Sequence, residues 1–119
     1  MDRPSREEGR PLLAWEREVV LRAISASRLD PIAQGLLRRQ CDECRVVRVD
    51  VSGHGYFATL RCASPAADVS ALSGVNADAA ELRHGVGFVV WLSNGRIDGL
   101  EAFAYGEPWP PSLTLRRWL

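Results

Sequence analysis

The chain has 119 residues, of which 15 are basic and 15 acidic, giving a formal charge of zero. A chain of this size buries roughly two-thirds of its unfolded surface and supports one domain without staples. The balanced charge sets aside nucleic acid and anionic membrane surfaces as partners, and neither a membrane-length apolar run nor the apolar core of a secretory signal is present, so a cytoplasmic location is expected.

Residues 1–10 read as a disordered tail, and 11–119 as a single α+β domain. From Pro11 to about Ser27, Leu12, Leu13, Trp15, Val19, Val20, Ala23 and Ile24 fall within about half of a wheel at 3.6 residues per turn, which predicts a helix with one face packed on a sheet. Asp30 is an N-cap with Pro31 at the first helical position, opening a second helix that runs to about Gln40.

Cys44 to Val51 alternates, with Val47, Val49 and Val51 on one side and Val46, Arg48 and Asp50 on the other, the period of a strand with one buried face. Ser52-Gly53-His54-Gly55 turns the chain, and Tyr56 to Cys62 returns to complete a first hairpin. With a two-residue loop at Gly53-His54, Tyr56, Ala58, Leu60 and Cys62 share a face with Val51, Val49, Val47 and Arg45; a longer loop shifts that pairing. Residues 63–84, rich in Ala, Ser, Asp and Gly, read as a long connection with a helical turn around Asp78 to Arg83, and a connection of that length is a place to look for a partner-facing surface.

Gly85 to Pro111 is the clearest folding unit. Val86 to Ser93 is an apolar strand, Asn94-Gly95 supplies the two positive-φ positions of a type I′ turn, and Arg96 to Tyr105 returns. That turn pairs Leu92 with Ile97, Val90 with Gly99 and Phe88 with Glu101. A bulge at Asp98-Gly99 would instead carry Leu100 toward the core, and the pattern leaves the register there open. Both sides of the strand are apolar, as in a central strand or a dimer contact. Pro108, Pro110 and Pro111 end the hairpin, and SLTLRRWL adds a short edge strand or packs Leu115 and Trp118 on the core.

The expected fold is therefore α+β: two N-terminal helices packed on one face of a four-stranded antiparallel sheet made of two hairpins.

Three sets of residues could carry chemistry. Three cysteines, an odd number in an expected reducing compartment, argue against a disulfide framework and leave free thiols or a metal site. Cys41-x-x-Cys44 with Cys62 could grip zinc; His54 sits at the wrong end of the hairpin, so His84 or solvent would complete the set, and ordinary thiols are the plainer reading. Glu101, a carboxylate among apolar strand residues, could act as an acid or base with a histidine, or simply reach solvent, a backbone N–H, Arg96 or Arg61. The aromatic set Trp91, Phe103, Tyr105, Trp109 and Trp118 is either core and lid or, with Glu101, a surface for a protein partner or a second copy of the chain. No catalytic residue is assigned, and a non-enzymatic protein-binding module is the leading reading, ahead of a small zinc protein and of an enzyme using Glu101.

Asn94-Gly95-Arg96-Ile97-Asp98-Gly99-Leu100-Glu101-Ala102-Phe103-Ala104-Tyr105-Gly106, followed by Trp109-Pro110, resembles the closing hairpin of a group of small, uncharacterised bacterial proteins. In that group an N-terminal helix precedes a cysteine-containing segment and a first hairpin; Cys41 and Cys44 fall at that segment, although the denser alternating cysteines of some members are missing. The resemblance implies a fold and no activity; small proteins of this build include immunity proteins to secreted toxins, an analogy of size and class. Exclusive use of arginine as the basic residue fits the coding bias of a GC-rich bacterium.

Overall fold

The computed structural model describes residues 9–62 and 71–119, the side chains at 73 and 74 excepted. The described residues form β1 (Arg10–Pro11), α1 (Ala14–Ala26), α2 (Pro31–Glu43), β2 (Arg45–Val51), β3 (Gly55–Arg61), β4 (Ala71–Ala79), β5 (Leu82–Ser93), β6 (Arg96–Ala104) and β7 (Leu115–Trp118). Seven strands make one sheet in the order β1-β2-β3-β6-β5-β4-β7, with every neighbouring pair antiparallel. The expected four-stranded sheet is thus corrected: the two hairpins are present, but they are the inner part of a wider sheet.

Each added strand has an identifiable source. Much of the stretch read as a connection is β4, whose small residues hide it from a search for bulky apolar alternation: Ala77 and Ala79 are buried, as are Leu72 and Val75. A turn at Ala80-Glu81, not a helical turn, joins β4 to β5; residues 63–70 of the expected connection lie outside the described residues. The C-terminal tail supplies β7 against β4, placing Trp118 opposite Ala77 and packing its ring 5.9 Å from Phe88. At the other edge Arg10–Pro11 pairs with Val46 and Arg45, so residue 10 belongs to the sheet rather than to the expected tail, whose residues 1–8 lie outside the described residues.

Asp30 caps α2 as its sequence position suggests, its carboxylate accepting from the Ala33 N–H at 2.8 Å with Pro31 at the first helical turn. The first helix starts at Ala14, three residues after Pro11, because Pro11 is held in β1. α1 rests on β4 and β5, and α2 on α1 and β6. Val19, Val20, Ile24 and Leu37 from the helices meet Val86, Phe88, Val90, Ile97 and Leu100 from the central strands in one buried core.

Both hairpins carry a bulge. In the first, Val51 pairs with Tyr56 and Val49 with Ala58, the register of a short loop, but a shift between Val46 and Arg48 puts Val46 opposite Leu60. Val46 is therefore the buried valine of β2, whereas Val49 and Val51 are exposed at the sheet edge, where β1 reaches no further than Val46. In the second, Asn94 and Gly95 adopt φ of 53° and 75°, as a type I′ turn requires, and Leu92 pairs with Ile97. The register then shifts so that Trp91 faces Gly99 and Val90 faces Leu100. Leu100 is fully buried and Glu101 turns to the other side of the sheet.

Among the described residues no helix is long and apolar enough to cross a membrane.

Candidate functional site

The sheet has one side covered by the helices and one side that the described residues leave open. Pairing fixes which residues share the open side: Phe57 lies opposite Glu101 and Val89, Thr59 opposite Gly99 and Trp91, and Gly55 opposite Phe103, Gly87 and Asn76. Val89, expected to be buried with Trp91 on a strand covered on both sides, is only half-buried, and Trp91 is 41% exposed.

Two glycines shape this surface. A Cβ at Gly99 would sit 2.7 Å from Phe57 Cζ, and one at Gly87 would sit 2.6 Å from Phe103 Cε2. The rings thus lie down over bare backbone instead of standing off it. Phe103 and Tyr105 meet edge to face with centroids 5.4 Å apart. The polar tips are satisfied within the surface: Trp91 Nε1 donates to Glu101 Oε1 at 3.0 Å, and the Tyr105 hydroxyl donates to Asn76 Oδ1 at 2.7 Å. Ion pairs flank it on both sides, Arg48 with Asp50 at 3.0 Å and Arg117 with Asp78 at 2.9 Å.

Trp91, Glu101, Phe103 and Tyr105 are therefore brought together as one face. Trp109 is not among them. It stacks on Tyr56, centroids 5.9 Å apart at 28°, on the helix-bearing side, where its backbone N–H bonds the Gly53 carbonyl at 2.8 Å. Trp118 joins the core. Phe57, Asn76 and Gly87 complete the face and carry no sequence assignment, and Gly99 was read only as a bulge candidate; alternation along Tyr56 to Cys62 places Phe57 on the face away from the buried Ala58, a usable signal for Phe57 alone.

Glu101 bonds Trp91, and both histidines meet Glu107 instead. The His54 ring Nδ1 lies 3.0 Å from the Glu107 carbonyl, while the Glu107 carboxylate accepts from the backbone N–H groups of Arg83 and His84 at 3.0 and 2.7 Å. Those two donors hold the Glu107 carboxyl below its usual range.

The cysteines differ from the expectation of free thiols. Cys44 and Cys62 form a disulfide, which follows from their places at the base of the first hairpin, where their Cα atoms are 4.4 Å apart. Cys41 is a buried free thiol, and burial raises its pKa, away from reactivity. Among the described residues no group of three or more His, Cys, Asp or Glu is arranged to hold a metal ion.

A second polar feature lies under the first turn of α1. Glu16 is fully buried, yet its carboxylate accepts from Arg10 Nη1 at 2.8 Å, Arg10 Nη2 at 3.2 Å, the Leu13 N–H at 2.7 Å and the Tyr56 hydroxyl. Burial by itself would raise the Glu16 pKa; the donors from Arg10, Tyr56 and Leu13 outweigh it and hold the carboxyl below its usual range. Burial, followed by the bond to Glu16, pushes the Tyr56 phenol far above its ordinary value, so Tyr56 remains a donor. The network leaves the carboxylate no spare position, and its role is to fix the Tyr56 ring and the start of α1.

No family model, no curated protein and no solved structure matches the chain.

Proposed function

We propose that the protein is a non-enzymatic protein-binding module that docks through the open aromatic face of its sheet, and that the partner this face fits is a second copy of the chain. The observation that carries the reading is the cluster of Phe57, Trp91, Phe103 and Tyr105 laid over Gly87 and Gly99, with Trp91 and Tyr105 still 41% and 45% exposed. Aromatic centres with satisfied polar tips, bordered by a polar rim, are the anatomy of interface hot spots. The rim pairs Arg48–Asp50 and Arg117–Asp78 carry both signs, so the rim offers a copy rotated by a two-fold axis both donors and acceptors. Two such faces packed about 10 Å apart would form a sandwich whose second core is this aromatic layer.

Solution mass by light scattering tests it. The full chain should run at twice the mass of one chain, and Trp91→Arg should return it to one chain while its far-UV circular dichroism stays unchanged. A wild-type chain that is monomeric at high micromolar concentration defeats the self-association reading.

A further inference from the structure

On the opposite side of the sheet, the first turn of α1 and the closing proline segment border a half-open groove of about 420 Å³, lined by Leu13, Trp15, Val51, Tyr56, Trp109 and the residues that follow Trp109 to Leu113. We infer that this groove is a binding site for a small, uncharged, planar aromatic molecule, for which indole, filling part of the groove, is the simplest probe.

Three observations select that ligand class. Three rings line the walls: Tyr56 and Trp109 stack with centroids 5.9 Å apart at 28°, and Trp15 is tilted 60° to Tyr56 at 5.1 Å, so a flat guest meets ring faces and an edge at once. Among the described residues that line the groove none is charged, so a charged guest would lose its hydration without a partner. Its volume lies toward the small end of the roughly 300–1,000 Å³ of small-molecule sites.

The site is also preformed, which lowers the ordering cost of binding. Tyr56 is held from behind by Glu16 and Arg10, and the Trp109 segment is tied to the Gly53 carbonyl and stiffened by Pro110 and Pro111. At the mouth, Leu13 and Val51 are large apolar side chains left 45% and 61% exposed, surface that a guest would cover. None of these residues belongs to the open face, so the site stands apart from the proposed self-association.

The test is a titration of the full chain with indole, followed by the shifts of the Trp15 and Trp109 side-chain N–H resonances, with indole-3-acetate and cyclohexanol as comparisons. Indole should saturate at one per chain with a Kd on the order of 0.1 mM, as expected for a fragment of this size. The charged and the non-planar probes should each bind at least tenfold more weakly. Val51→Arg, at an exposed position, should weaken indole at least tenfold with an unchanged circular dichroism spectrum, whereas Trp91→Arg should leave it unaltered. The proposal is overturned by lack of saturation up to the solubility of indole, by equal binding of indole-3-acetate or cyclohexanol, by full binding in Val51→Arg, or by a proline-rich peptide shifting these resonances where indole does not.

Discussion

The Tyr56 hydroxyl donates to the Glu16 carboxylate, joining a strand residue to a helix residue 40 positions earlier through a group with no solvent exposure. Because Arg10 and the Leu13 N–H converge on the same carboxylate, β1, α1 and β3 are locked by one charge. Removing that charge leaves several donors without an acceptor. Breaking a buried ion pair costs about 3–5 kcal/mol, and Arg10, with its side chain 37% exposed, recovers part of this from water. Glu16→Gln should therefore destabilise by about 2–4 kcal/mol in urea unfolding at neutral pH. Tyr56→Phe, which removes one bond to a charged group, should cost about 1.5–3 kcal/mol. A Glu16→Gln variant as stable as the wild type would show that the network contributes nothing net.

The same carboxylate sets an acid limit. Its folded pKa lies below the unfolded value near 4.5, so the stabilisation is fully present above that pH and is lost as pH falls through the folded value. Unfolding free energy measured from neutral pH downward should decline below about pH 4.5, and the decline should be shallower in Glu16→Gln. Equal slopes in the two proteins would place the acid sensitivity elsewhere.

Gln40 acts as a clamp on the Asn94-Gly95 turn. From α2, fully buried, its Nε2 donates to the Gly95 carbonyl at 2.7 Å and its Oε1 accepts from the Ile97 N–H at 2.9 Å. Gln40→Leu keeps the volume but strands both backbone groups, each at about 1–3 kcal/mol, so a total loss of about 2–6 kcal/mol is expected. Amide exchange at Ile97 should accelerate well beyond the average of its strand. If Ile97 remains as protected as its neighbours, the clamp is not what holds the turn.

Gly87 tests whether the aromatic face is built or incidental. An added Cβ meets the far ends of Phe103 and Tyr105, which can swing toward solvent, so the backbone need not move. Overpacking of about 1–3 kcal/mol is thereby reduced and is partly offset by about 0.5–1 kcal/mol from the lost flexibility of glycine. Gly87→Ala should change stability by about 1 kcal/mol or less yet alter the near-UV spectrum and weaken self-association. Unchanged association with displaced rings would remove Phe103 and Tyr105 from the interface.

Side-chain size and spacing explain which of these features could be read from the chain. Asn94-Gly95 and Asp30-Pro31 specify backbone geometry locally, so the second hairpin and α2 were visible. Glu16 was visible in principle: it falls on the same helix face as Leu12, Leu13, Val19 and Val20, an acidic residue at an apolar position, which is a signal for a buried partner. β4 was hidden because Ala77 and Ala79 fill narrow space against neighbouring strands with little hydrophobic signal. The face made by Gly87, Gly99 and the rings above them depends on cross-strand register, and the bulges at Val47 and Asp98 each invert the alternation that a sequence pattern assumes. Gln40 reaches a turn 55 residues away, a distance over which local pattern says nothing.

The Cys44–Cys62 bond joins the end of α2 to the end of β3 across a separation of 18 residues. Closing a loop of that length restricts the unfolded chain by about 3 kcal/mol if native geometry is unstrained. Thiol titration of protein unfolded without reductant should find one free thiol per chain, Cys41; three would mean the bond does not form in the isolated protein. With the bond intact, reduction should lower the unfolding free energy by about 2–3 kcal/mol, and Cys62→Ser should reproduce the loss and make stability insensitive to reductant. The helix should stay folded in that variant, since α2 retains its Asp30 cap and its Gln40 contacts with the second hairpin. The change should instead appear as faster exchange at the paired residues Arg45 and Arg61, next to the lost link. Global unfolding without that local signature would assign the bond a role in folding the whole sheet rather than in fastening its first hairpin.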